Sequence, residues 1–310
     1  MKIEYELMDF PEKYGKKGNL EVSWPELVHA AISYGKSSDF FDDLPHPKLV
    51  LFEFLHKTYM LYSCLVEENN YLIKSDLYSD MDITEKNYTS YFLGMTMSKL
   101  VADRLFNVPV LCHFSKSKDE FEKKKGKSSP DLIGKDNDGN WVVVEAKGTS
   151  GNYKVTVLKK AKNQVKIITK INGKTPMLSF GSESYFSSKL KIKMMDPHPN
   201  PNSIELQFDE SFLKKKYYSI HHIIKEQGFD REINSINYKI IEDNNYGVSI
   251  GLPNDLNDLI LQNNTPNRTM NSLKKNLEGF EYLGNDGFYV RLDNRWSEEN
   301  MKKQLKDREE

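Results

Sequence analysis

Residues 129–148, SPDLIGKDNDGNWVVVEAKG, decide how this chain folds. Pro130-Asp131 opens a short strand that continues through Leu132-Ile133, and Asp138-Gly139 is a tight-turn dipeptide. The returning run, Trp141-Val142-Val143-Val144, is apolar and β-branched, as expected of a strand buried on both faces. It then breaks into Glu145-Ala146-Lys147. Ionisable groups at the end of a buried strand cost several kcal/mol unless a metal or a partner compensates them. The hairpin therefore predicts both the middle of a sheet and a site.

The segments around the hairpin support that reading. Upstream, residues 84–106 predict a helix capped by Thr84, with Tyr88, Tyr91, Phe92, Met95, Ala102, Leu105 and Phe106 on one apolar face. Val108 to Phe114 predicts a first strand. Residues 115–128, rich in lysine, read as a loop able to meet a polyanion. Downstream, residues 153–171 predict a helix whose stripe of Val157, Ala161, Ile168 and Ile171 also carries the polar Gln164. Lys159, Lys160, Lys162, Lys166 and Lys170 crowd its other side. Residues 176–182 and 189–195 predict two more strands. Strands and helices in this order predict an α/β core, a central mixed sheet flanked by helices.

Outside this core the signals are plainer. Ser23 and Pro25 start a helix that stops at Gly35, and a second helix spans Lys48 to about Glu67, so residues 1–83 read as an acidic helical region. The proline-rich Asp196 to Ser203 is the best linker, dividing a core of residues 84–200 from a C-terminal α+β region of residues 201–310. There a helix at 209–227, strands at 238–241 and 246–252, a short helix at 255–262 and a hairpin at 280–292 are expected. His221 and His222 are adjacent on a helix and point apart, which makes them poor joint ligands.

The net charge of −1 conceals a division along the chain. Residues 1–88 hold 16 acidic and 9 basic side chains, residues 89–200 hold 10 and 20, and residues 201–310 hold 19 and 15. The basic excess sits around the hairpin, as a surface that meets phosphates would require. No apolar run approaches the length of a membrane span, and the N-terminus lacks an apolar signal region. Cys64 and Cys112 lie in apolar contexts and read as buried free thiols of a reducing cytoplasm. There is no P-loop, no GxGxxG and no zinc-type spacing.

The chemistry of the hairpin follows from its residue types. Asp131 and Glu145 lie on strands that the turn brings side by side, where their charges repel unless a cation joins them. A hard divalent ion prefers such oxygen ligands, and the Ala146 carbonyl can add another. Glu145 and Lys147, two apart on one strand, share a face. Lys147 can then orient the attacking water, stabilise phosphoryl charge or, with a lowered pKa, act as base. The bland alternative is a surface hairpin in which Glu145 and Lys147 form an ion pair and Asp131 caps a turn.

Pro130-Asp131 followed by Glu145-Ala146-Lys147 resembles the PD-(D/E)xK nuclease superfamily, which includes restriction endonucleases, repair exonucleases, junction resolvases and phage-defence nucleases. The resemblance covers roughly residues 84–195. It implies a restriction-endonuclease-like core and Mg²⁺-dependent hydrolysis of DNA phosphodiesters to 5′-phosphate and 3′-hydroxyl ends. Asp131, Glu145 and Ala146 would be the metal ligands and Lys147 a catalytic group, with Mn²⁺ as a substitute ion. Several branches carry a polar residue on the following helix, which extends the catalytic set to Gln164. Many members also place an acid on the first core helix; Glu85 and Asp103 are the residues available, and neither has diagnostic spacing. The implied setting is cytoplasmic, in restriction, phage defence or repair. RNA is a second substrate option, and an ATPase, a helicase, another defence subunit or a second copy of the chain are candidate partners. The reading from a different class is a non-catalytic nucleic-acid-binding or assembly subunit that keeps the fold.

Overall fold

The computed structural model describes residues 1–34, 48–114, 130–196, 204–207, 213, 217–218, 220–255, 279–297 and 299–300, with 48–50 and 222 by backbone alone. The chain divides into two compact units, Met1–Val22 with Ala30–Ser219, and Ser23–His29 with Ile220–Glu310. In chain order, the elements up to residue 206 are β1 (Lys2–Met8), β2 (Lys17–Glu21), α1 (Trp24–Ile32), α2 (Lys48–Cys64), β3 (Leu65–Glu68), β4 (Tyr71–Lys74) and α3 (Asp76–Asp80). They continue with α4 (Ile83–Phe106), β5 (Val110–His113), β6 (Leu132–Lys135), β7 (Trp141–Thr149), α5 (Val155–Val165), β8 (Ile168–Ile171), β9 (Leu178–Phe186), β10 (Leu190–Met195) and β11 (Ile204–Leu206).

The first unit is built on a nine-stranded mixed sheet in the order β3-β4-β1-β10-β9-β7-β6-β5, with β2 beside β1. β5, β6 and β7 form an antiparallel meander, α5 crosses over, and β9 returns parallel to β7. The expected mixed α/β architecture is thus present. The meander turn places Gly139 at φ 79°, a conformation that suits glycine, and Asp136 braces it by accepting from the N–H groups of Asp138 and Asn140.

Several boundaries differ from the expectation. Residues 1–83 are not only helical: they supply β1 to β4, because Ile3 and Leu7 alternate with charged residues at the period of a strand. The helix before β3 ends at Cys64 instead of near Glu67. α4 is capped by Asp82 and not by Thr84. Asp82 accepts from the N–H groups of Thr84 and Glu85, and Glu85 reaches back to the Asp82 N–H, a capping box. The helix predicted over 153–171 stops at Val165. Its β-branched end, Ile168–Ile171, pairs with β11 instead. Residues 115–128, the 196–203 linker beyond Asp196, the segment 255–262 beyond Asp255 and residues 209–212, 214–216 and 219 of the helix expected over 209–227 lie outside the described residues.

In the second unit, α6 (His221–Gln227) precedes a five-stranded antiparallel sheet in the order β12-β13-β14-β16-β15. Its strands are β12 (Phe229–Ile233), β13 (Ile236–Asp243), β14 (Val248–Pro253), β15 (Glu281–Leu283) and β16 (Tyr289–Leu292). The two expected strands and the final hairpin are present, and β12 is an addition. His29 sets its Nε2 2.9 Å from both carboxylate oxygens of Asp286, whose Oδ1 also accepts from the Phe288 N–H. Both side chains are buried, so this contact pins the β15–β16 turn to residues 23–29.

Cys64 and Cys112 are buried and free, as expected. Among the described residues no helix is long and apolar enough to cross a membrane.

Candidate functional site

The carboxylate end of the hairpin lies where the β6 ladder stops. Leu132 is the last β6 residue paired with β7, opposite Val144, so Asp131 and Glu145 are neighbours just beyond the end of that ladder, while β7 runs on beside β9. Asp131 turns its Oδ2 to accept from the Ala146 N–H at 3.0 Å. The N–H and C=O of one strand residue leave on the same side, so the Ala146 carbonyl faces the Asp131 side as well. Lys147 donates to Glu145 Oε1 and stands 4.0 Å from Asp131 Oδ2. The structure thus brings together Asp131, Glu145, Ala146 and Lys147.

Packing explains how strand β7 can hold a site at this point. Gly148 presents its Cα directly to α4: a Cβ there would stand 1.7 Å from the Ser90 carbonyl oxygen. Gly94 returns the contact, its missing Cβ facing the Lys147 carbonyl carbon at 2.7 Å. The two glycines let helix and strand backbones touch. Val144, Ala146 and Gly148 face α4, and by alternation Glu145 and Lys147 face the other side. There Gly181 of β9 packs against Ala161 of α5.

The electrostatics are those of two acids crowded together. The Glu145 side chain is fully buried, those of Asp131 and Lys147 are 20% and 30% exposed, and Oε2 of Glu145 has no hydrogen-bond partner among the described residues. Burial pushes the Glu145 carboxyl up to about 7, the Asp131 carboxylate adds to the rise, and Lys147 opposes it. Asp131 is raised too, chiefly by burial, with Lys147 and the Ala146 N–H pulling the other way. A carboxylate pair whose ionised form is disfavoured, with one buried oxygen uncommitted, is the donor set that a hard divalent cation satisfies. Two carboxylates and a carbonyl fit such an ion. No group of three or more His, Cys, Asp or Glu side chains gathers here or elsewhere among the described residues.

The remaining candidates divide. Gln164 is half-buried on α5 beside the buried stripe of Leu158, Ala161 and Val165, and no hydrogen bond joins it to Asp131 or Glu145. Glu85 is held in the capping box. Asp103 is buried in α4, nine residues beyond the Gly94 contact, or roughly 13 Å along the axis. Neither acid of the first core helix joins the pair.

Two features lay beyond the sequence reading. Glu183 of β9 is fully buried in register with Lys147, accepts from Thr149 Oγ1 at 3.0 Å and from the Lys154 N–H at 3.4 Å, and is held up by burial. It serves the start of α5, and the charges that act on it are Lys154 and Lys193. Only the pairing of β9 with β7 reveals it. The second is Tyr91. The helical pattern places it and Tyr88 on the apolar face, but both are exposed. The Tyr91 hydroxyl lies 2.9 Å from Nε2 of the buried His113. Its phenol is raised by burial and then by Asp131, with Glu145 contributing, so the hydroxyl sits within the field of the acid pair.

Compared with protein-family models, curated proteins and solved structures, the chain matches none of them.

Proposed function

We propose that the chain is a Mg²⁺-dependent nuclease that hydrolyses DNA phosphodiesters, with a restriction-endonuclease-like core acting in restriction, phage defence or repair. One observation carries this reading: Asp131 and Glu145 meet at the open end of the β6–β7 ladder beside Lys147, with a buried Glu145 oxygen uncommitted. Further support comes from the mixed sheet flanked by helices and from the basic middle third of the chain.

Asp131, Glu145 and the Ala146 carbonyl would hold the cation. When bound, Mg²⁺ supplies positive charge where the phosphoryl group becomes more negative. Lys147, held in place by Glu145, donates to a phosphoryl oxygen or orients the attacking water. Lys159, Lys160 and Lys170 are exposed and offer sequence-independent contacts to the backbone. Gln164 enters through the resemblance alone. The partners open to such an enzyme are an ATPase, a helicase, another defence subunit or a second copy of the chain.

Purified protein with Mg²⁺ is expected to cut DNA. Asp131→Ala, Glu145→Ala and Lys147→Ala are each expected to abolish cutting while keeping the wild-type circular dichroism spectrum. Cutting at the wild-type rate by all three variants refutes the assignment.

The absence of a third ligating side chain among the described residues favours a second reading, a non-catalytic nucleic-acid-binding subunit. That protein binds DNA with a steep salt dependence and hydrolyses nothing with any divalent ion.

A further inference from the structure

We infer that Tyr91 is a further catalytic residue of this site, a neutral hydrogen-bond donor to a phosphoryl oxygen of the scissile group, held in position by His113. The inference rests on the nuclease reading and extends it to a residue outside the Asp-Glu-Lys set.

A line of contacts leads from the phenol to the acids. Tyr91 lies on the turn of α4 that Gly94 and Gly148 press against β7, so the helix cannot slide away from the strand that carries Glu145 and Lys147. Its hydroxyl is 2.9 Å from His113 Nε2. His113 is opposite Leu132 in the β5–β6 ladder, and the next residue, Phe114, donates its N–H to the Asp131 carbonyl at 2.7 Å. The hydroxyl is thereby held beside Asp131 at the open end of the meander. The helix that carries it covers the opposite face of β7 from Lys147. A phosphate at the rim of the sheet would meet Lys147 from one side and Tyr91 from the other.

The chemistry suits a donor better than a base or a nucleophile. An ordinary tyrosine already keeps its proton near neutral pH, and burial, the largest cause acting on Tyr91, favours the protonated phenol further. When His113 offers an N–H from Nε2, the tyrosine oxygen accepts it and its own proton is left to point at substrate. A purely structural tyrosine would be buried with its hydroxyl satisfied inside the fold. Tyr91 is 44% exposed, while the histidine that anchors it is only 7% exposed. The fold spends a buried polar side chain to hold the hydroxyl of a half-exposed tyrosine in the field of two acids.

The test compares wild type, Tyr91→Phe and His113→Phe in steady-state cleavage of a defined DNA duplex with Mg²⁺. The Mg²⁺-induced rise in melting temperature is recorded for each protein. Tyr91→Phe is expected to lower kcat by 10²- to 10³-fold, the cost of removing one preorganised donor, with KM within about threefold of wild type and an unchanged Mg²⁺ response. His113→Phe is expected to lower kcat by about tenfold or more, because the phenol loses its anchor. Adding Tyr91→Phe to it should then cost less than in wild type. Full kcat in Tyr91→Phe, or a loss seen only in KM, overturns the inference and leaves the nuclease assignment standing. An inactive wild-type chain overturns both.

Discussion

Replacing Glu145 by Gln tests the electrostatic basis of the site without any activity assay. The folded protein holds the Glu145 proton up to about pH 7, whereas the unfolded chain releases it near the ordinary value of 4.5. The folded state therefore binds more protons between those limits. The stability linked to this group is fully present below pH 4.5 and is lost as pH rises through about 7. At 1.36 kcal/mol per tenfold change in proton affinity, the ionised carboxylate costs roughly 3 kcal/mol of folding stability. Glutamine has nearly the same shape and no charge to bury. Urea denaturation of both proteins at about pH 4.5 and about pH 8 should show the stability difference shifting by roughly 3 kcal/mol in favour of the glutamine variant at the higher pH. Because Asp131 and Glu145 act on one another, the difference between the two proteins reports the titration of the pair, while groups distant from it cancel. Mg²⁺ should restore wild-type stability at the higher pH, by about 2.7 kcal/mol at a hundredfold excess over Kd, and leave the variant almost unmoved. A stability difference that is flat with pH would refute the crowded-acid description, and an equal Mg²⁺ response in both proteins would refute the metal site.

Two further outcomes probe the frame. Gly148→Ala drives a Cβ to within 1.7 Å of the Ser90 carbonyl and should cost roughly 3 kcal/mol in urea denaturation, whereas Gly151→Ala, with open space around it, should stay within about 0.5 kcal/mol. In the second unit, Asp286→Ala leaves the buried His29 ring and the Phe288 N–H without their acceptor. It should cost about 3 kcal/mol, read as faster amide exchange at the β15–β16 hairpin.

Much of the core was legible because its signals are local. A glycine turn between β-branched runs predicts the β6–β7 hairpin, and adjacent strands of a hairpin must place Asp131 near Glu145. Alternation alone sets Glu145 and Lys147 on one face. Local rules misled where two patterns overlapped. Ile168–Ile171 continues the helical stripe of α5 yet has the β-branched composition of the strand it forms. Tyr88 and Tyr91 fit the spacing of an apolar face, but the side of α4 that packs inward at these turns carries Thr89, Ser90, Phe92 and Leu93 and leaves the two tyrosines exposed.

By itself, the sequence determined the β6–β7 hairpin, the paired acids with their lysine and the basic character of the surrounding segment, because each follows from neighbours within a few residues or from composition. Tertiary structure decided the rest. It recruited β1 to β4 into the central sheet and set Glu183 against the start of α5. It occupied Glu85 with a helix cap and carried the Tyr91 hydroxyl to His113 beside the acids. These outcomes depend on which strands pair and how closely two backbones approach, and no period in the chain encodes either. The two facing glycines, Gly94 and Gly148, make the closest of those approaches.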